Sequence, residues 1–206
     1  MPIFAKDGRS VLLIHIPKTG GTSIEDTMMD SGWTRTDFAS PRTEPGLYRF
    51  RRVPPQHFHA DLLVQTLNVR RFDLRFMIVR DPVARFRSEY AMRERDPKMG
   101  ESGVVEEWAR NQFERYRSDP YLWHNHLRPQ HEYEVPDTVV RRFEDGLPQA
   151  LADLVERIGV PVDAPLVHTK KSHTAGRLSS RDVQISDTLA QFLREFYAED
   201  CRRYGY

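Results

Sequence analysis

The stretch Val11-Leu-Leu-Ile-His-Ile-Pro-Lys-Thr-Gly-Gly-Thr-Ser-Ile24 constrains this chain more than any other. An apolar strand, Val11 to Ile16, runs straight into a Lys-Thr-Gly-Gly-Thr-Ser turn. A helix follows from Ser23 to Asp30 and ends near Gly32. That order builds an anion cradle. Glycines let backbone N–H groups approach an oxyanion with no Cβ in the way, and the new helix turns its positive end to the same spot. Lys18 adds a full positive charge, Gly20 and Gly21 the close approach, and Thr19, Thr22 and Ser23 hydroxyl donors. A phosphate or sulfate group is the natural occupant.

The rest of the chain reads as alternating strands and helices. Leu74 to Val79 is a second mostly apolar strand, and Thr138 to Phe143 a short third one. Helices are expected over Ala60 to Val69, from an Asp81 cap with Pro82 in the first turn, over Val104 to Arg117, and over Leu147 to Ile158. A last helix runs from about Ser186 to Arg203 and buries Leu189, Phe192, Leu193 and Phe196. Trp33 to Pro55, rich in Pro, Arg and Thr, reads as loop with short strand pieces. The pattern implies an α/β fold: one domain over 1–206, with a P-loop-like parallel sheet flanked by helices. Ligands of such sheets sit at the carboxyl ends of the strands.

Composition narrows the function classes. The chain of 206 residues is 39% hydrophobic and 30% charged, which is globular rather than disordered or membrane-embedded. No run is long enough to span a bilayer, and the single cysteine, Cys201, fits a cytoplasmic setting. The net charge of +1 hides eleven Arg and five acids between Arg49 and Arg95. That excess suits a multiply anionic ligand, while the near-neutral total speaks against nucleic acid.

The loop departs from the Walker order, which places Lys after the last Gly and just before a Mg²⁺-holding Ser/Thr. Here Lys18 precedes both glycines. Pro-Lys-Thr-Gly-Gly-Thr-Ser instead resembles the 5′-phosphosulfate loop of sulfotransferases that use 3′-phosphoadenosine 5′-phosphosulfate (PAPS). A second element, Ile78-Val-Arg-Asp-Pro-Val-Ala-Arg-Phe-Arg-Ser-Glu-Tyr90, resembles the 3′-phosphate element of the same family, with an Arg at a strand end and a Ser eight residues on. The resemblance assigns Arg80 and Ser88 to the 3′-phosphate. It is closest to bacterial sulfotransferases of the family 2 type and to the uronyl and heparan sulfate 2-O-sulfotransferases.

Between these elements, Gln56-His-Phe-His59 resembles the His-x-His of sulfotransferases that act on sugar hydroxyls. By that resemblance His57 is the general base and His59 helps hold the acceptor, with Lys18 at the bond that breaks. Lys171 and Ser172 correspond to a basic, hydroxyl-bearing loop that returns to the cofactor phosphates, although a solvated loop fits them equally. His124, His126, Arg128 and Gln130 have no assigned role. The His residues complete no recognised metal spacing, so no metal is expected. The implied activity is transfer of a sulfuryl group from PAPS to a carbohydrate hydroxyl, leaving the 3′,5′-bisphosphate PAP. The alternatives are a P-loop kinase or NTPase and a non-catalytic nucleotide-binding protein.

Overall fold

A two-residue Asp7-Gly8 turn starts the fold, with both residues at positive φ (50° and 74°), as tight hairpins require. It joins β1 (Ile3–Lys6) antiparallel to β2 (Arg9–Ile14). β3 (Thr34–Thr36) pairs antiparallel with the other side of β1. β4 (Leu74–Val79) and β5 (Val139–Arg142) extend the sheet on the far side of β2, both parallel, giving the order β3-β1-β2-β4-β5. The computed structural model describes residues 1–44, 46–166 and 176–206.

The sheet is therefore mixed, which corrects the expectation of a parallel one. Only β2, β4 and β5 are parallel. The hairpin and the short strand at the edge come from Asp7-Gly8 and Thr34–Thr36, and the apolar run of β1 is too short to announce itself. β3 is a short strand piece inside the Trp33–Pro55 loop segment, where such pieces are expected.

Both faces of the sheet are buried, as the strand composition requires. Val11 and Leu13 of β2 pack with Phe76 and Ile78 of β4 on one face, against α1 (Gly21–Asp30). Leu12, Ile14, Met77 and Val79 point to the other face, where Leu63 of α2 (Ala60–Thr66) covers them. This is the period-2 alternation of a strand read twice, once per face. α2 stops earlier than expected, at Thr66, and a 3-10 turn at Val69–Arg71 completes the connection.

α3 (Pro82–Glu94) opens as the sequence implies, with the Asp81 carboxylate accepting from the Ala84 N–H at 2.7 Å. It packs with α4 (Ser102–Ser118) in a separate aromatic cluster of Phe86, Tyr90 and Phe113. α5 (Leu147–Ile158) closes the first face of the sheet and ends at Gly159 in left-handed backbone. The expected last helix is two, α6 (Asp187–Phe196) and α7 (Ala198–Tyr204). The break falls at Tyr197, whose buried hydroxyl donates to the Leu127 carbonyl at 2.7 Å.

Candidate functional site

The β2-to-α1 turn lies at the carboxyl end of the central strand. Lys18 takes φ 72° and Gly20 φ 87°, so the chain reverses within three residues. A side chain on Gly20 would meet Leu147 at 2.9 Å, and one on Gly21 would meet the His15 ring at 3.0 Å. Both glycines are fixed by close packing as well as by backbone shape. α1 has no side-chain cap and no acid in its first turn, which leaves its leading N–H groups open to an anion.

The turn opens into a cavity of about 920 Å³. Lys18, Gly20, Gly21, Thr22 and Ser23 line it from this side, and Arg80 and Ser88 from the end of β4 and from α3. His57, on a 3-10 turn at Pro55–His57, lines it too. Lys18, one turn of α3 and the strand-end Arg thus share one space. The Lys18 ammonium reaches Met92 Sδ at 3.5 Å, and Met92 stands one helical turn beyond Ser88 on the same face.

Arg80 is held from behind. Its backbone N–H donates to Gln130 Oε1 at 2.9 Å, and Gln130 Nε2 donates to the Arg80 carbonyl at 2.8 Å. The guanidinium donates to the Lys18 carbonyl at 3.1 Å and lies 4.5 Å from the Phe143 ring centre. It has no carboxylate partner at ion-pair distance among the described residues, and its Nε is buried without a partner. Burial disfavours its charge while Glu144 and Asp81 favour it from beyond ion-pair distance, and a half-buried guanidinium that faces a cavity is suited to an anion.

Two residues expected in the site stand elsewhere. Thr19 is buried, its hydroxyl donates to the Ile16 carbonyl at 2.9 Å, and it braces the turn without lining the cavity. His59 is 5% exposed and does not line the cavity either; Asn125 Nδ2 lies 3.4 Å from its Nδ1 and the Tyr121 ring packs on it. The reason is geometric. His57 ends the 3-10 turn, whereas His59 is extended at the cap of α2 (φ −85°, ψ 175°) and packs against Asn125 and Tyr121. Lys171 and Ser172 lie outside the described residues.

The segment with no assigned role supplies much of the scaffold. Trp123, His124 and Asn125 all have positive φ (54°, 58° and 68°), a costly run that surrounding bonds hold in place. Asn125 Nδ2 donates to the His57 carbonyl at 2.8 Å, and Tyr133 donates to the Asn125 carbonyl at 2.8 Å. The buried Arg85 side chain grips the His126 and Arg128 carbonyls at 3.2 and 2.8 Å. His126 is thereby delivered into the cavity. His15, Glu25 and His126 also line it and were not singled out as site residues. The one sequence signal was a histidine, His15, inside an otherwise apolar strand end.

Burial pushes the His57 pKa well below the ordinary imidazole range, and the neighbouring His126 and His15 push it the same way. Burial also lowers His126, against the pull of Glu89. Among the described residues, no group of three or more His, Cys, Asp or Glu side chains is arranged to hold a metal ion, and no helix is long and apolar enough to cross a membrane.

A mixed α/β sheet, a strand–loop–helix cradle at its carboxyl edge and a cationic cavity beneath define an α/β transferase fold. The chain belongs to the Sulfotransferase family, whose family model matches residues 1–206. No curated protein and no solved structure gives a significant match. Membership places the chemistry as sulfuryl transfer.

Proposed function

We propose that this protein transfers the sulfuryl group of PAPS to an acceptor hydroxyl, with His57 as general base. The observation that carries the reading is one cavity lined at once by Lys18, the Gly20–Ser23 turn, Arg80, Ser88 and His57. PAPS supplies an activated sulfuryl group when bound. The turn amides and Lys18 suit its 5′ end, and the Arg80 guanidinium with the Ser88 hydroxyl suits its 3′-phosphate.

His57 is suited to take the acceptor's proton. Its Nδ1 faces the His15 carbonyl at 3.5 Å, long for a hydrogen bond but enough to orient the ring and leave Nε2 as the basic nitrogen. Burial keeps it neutral, so it accepts a proton without first losing one. As the acceptor oxygen bonds to sulfur, the bond from sulfur to the phosphate oxygen breaks. Lys18 and the α1 amides meet the charge that grows on that oxygen. The acceptor class that the Gln56-His-Phe-His59 resemblance supports is a carbohydrate hydroxyl, carried by His57 alone now that His59 lies outside the cavity.

Transfer of labelled sulfate from PAPS to a panel of hydroxyl acceptors tests the reading. Labelled product with wild type and none with His57→Ala is the expected result, with PAP affinity nearly unchanged in the variant. Wild-type turnover in His57→Ala removes His57 from the base role.

A further inference from the structure

His57 stands between two other imidazoles, and each of those holds a buried carboxylate of its own. Its ring meets His15 edge-on at 5.1 Å and His126 edge-on at 5.0 Å. His15 Nδ1 is hydrogen-bonded to Glu25, which is 1% exposed and also binds Arg35 at 3.1 Å. His126 Nδ1 lies 2.7 Å from Glu89, equally buried, which accepts from Arg93 Nε at 2.7 Å as well. The parts come from separate elements: the end of β2, α1, the segment before Gln130, and α3. Simple base catalysis needs one imidazole, so the four flanking groups call for an explanation of their own.

We propose that His126–Glu89 is a positioning pair for His57, which takes up a proton entering the cluster first and so keeps His57 neutral and ready to act, while His15–Glu25 closes the other side of the ring. The inference rests on His57 as the base. A carboxylate on Nδ1 fixes each outer ring as the Nδ1–H tautomer, and Glu89 favours the protonated form of His126. His57 has only a backbone carbonyl at 3.5 Å. Two imidazolium rings about 5 Å apart in a buried site repel, so a proton on an outer ring resists a further one on His57.

The cations facing the cluster act in the same sense. They are Lys18 from the cradle turn, Arg93 from α3 and Arg35 from β3, while Asp26 of α1 is the further acid that lines the cavity; burial brings the Met1 amino group down to about 5, and His124 adds a further imidazole beside His126. The cavity thus holds one imidazole that protonates after His126 and faces the reacting groups.

His126→Gln tests this, since the glutamine amide can still donate to Glu89 while the titrating ring is gone. The acid limb of the kcat/KM profile should move upward toward the usual imidazole value of about 6.5. A uniform fall in rate with an unmoved limb means that His126 is only structural, and overturns the proposal. Nitrogen NMR of the three imidazoles in the wild-type full chain reads the order directly, without relying on a variant that folds. His126 should protonate before His57; His57 protonating ahead of His126 contradicts the proposal. That reversed order with an inactive His57→Ala overturns this inference alone. Wild-type turnover in His57→Ala overturns it together with the base reading.

Discussion

Arg80 shows how a single residue's surroundings announce its work. Its backbone is clasped on both sides by Gln130, its guanidinium lies against Phe143, and it faces the cavity without a carboxylate partner at ion-pair distance among the described residues. Arg80→Ala should weaken PAP binding by about 1.5–3 kcal/mol, roughly 10- to 100-fold, as loss of a charged hydrogen-bond donor does. Adenosine 5′-phosphosulfate, which lacks the 3′-phosphate, should bind both proteins alike, and calorimetry with the two ligands reads the difference. Lys18, Gly20, Gly21 and Arg80 were legible because their chemistry is contiguous with a strand end. His15, Glu25, Glu89 and His126 were not. Each is an ordinary residue in its own segment, and only packing brings the four around His57. His59 is close to His57 in sequence but is buried against Asn125 and Tyr121, away from the cavity lining.

At the level of elements, the cradle turn and the Trp123–Gln130 segment do most of the positioning. Gly20 sits at φ 87° with Leu147 of α5 where a Cβ would go. Gly20→Ala should cost about 1–2 kcal/mol for the left-handed backbone alone, with the clash added, and thermal melting should show the loss. Gln130 is fully buried and satisfies both backbone groups of Arg80. Gln130→Ala leaves those groups unpaired and should cost about 1–3 kcal/mol. It should also raise the KM for the donor more than it lowers kcat, because Arg80 loses its support while His57 keeps its own. The strands β2 and β4, and the Asp81-capped α3, were plain from apolar runs and capping residues. β1 was hidden by its shortness, and the break between α6 and α7 by an apolar period that runs unbroken across Tyr197.

Across the whole molecule, the buried titratable groups make the fold sensitive to acid. His57 and His126 have folded pKa values below 6.5, so folding excludes their protons. Their contribution is complete above about 6.5 and falls away as pH drops below it. Burial raises the Glu89 pKa, but His126 and Arg93 outweigh it and bring the carboxyl down to about 2. A depressed carboxyl contributes stability above the unfolded value of 4.5 that is lost as pH falls from there toward 2. The melting temperature should therefore drop in two stages, below 6.5 and again below 4.5, and His57→Gln should flatten the first. A melting curve unchanged between pH 7 and 5 contradicts this.

In the proposed function, the cavity receives a 3′-phosphorylated sulfonucleotide through Lys18, the α1 amides, Arg80 and Ser88. Calorimetry of the wild-type protein with PAP in the absence of Mg²⁺, beside ATP with and without Mg²⁺, tests it most directly. Tight metal-independent binding of PAP, with ATP weak under both conditions, is the predicted result. Mg²⁺-dependent binding of ATP with no measurable affinity for PAP would contradict it.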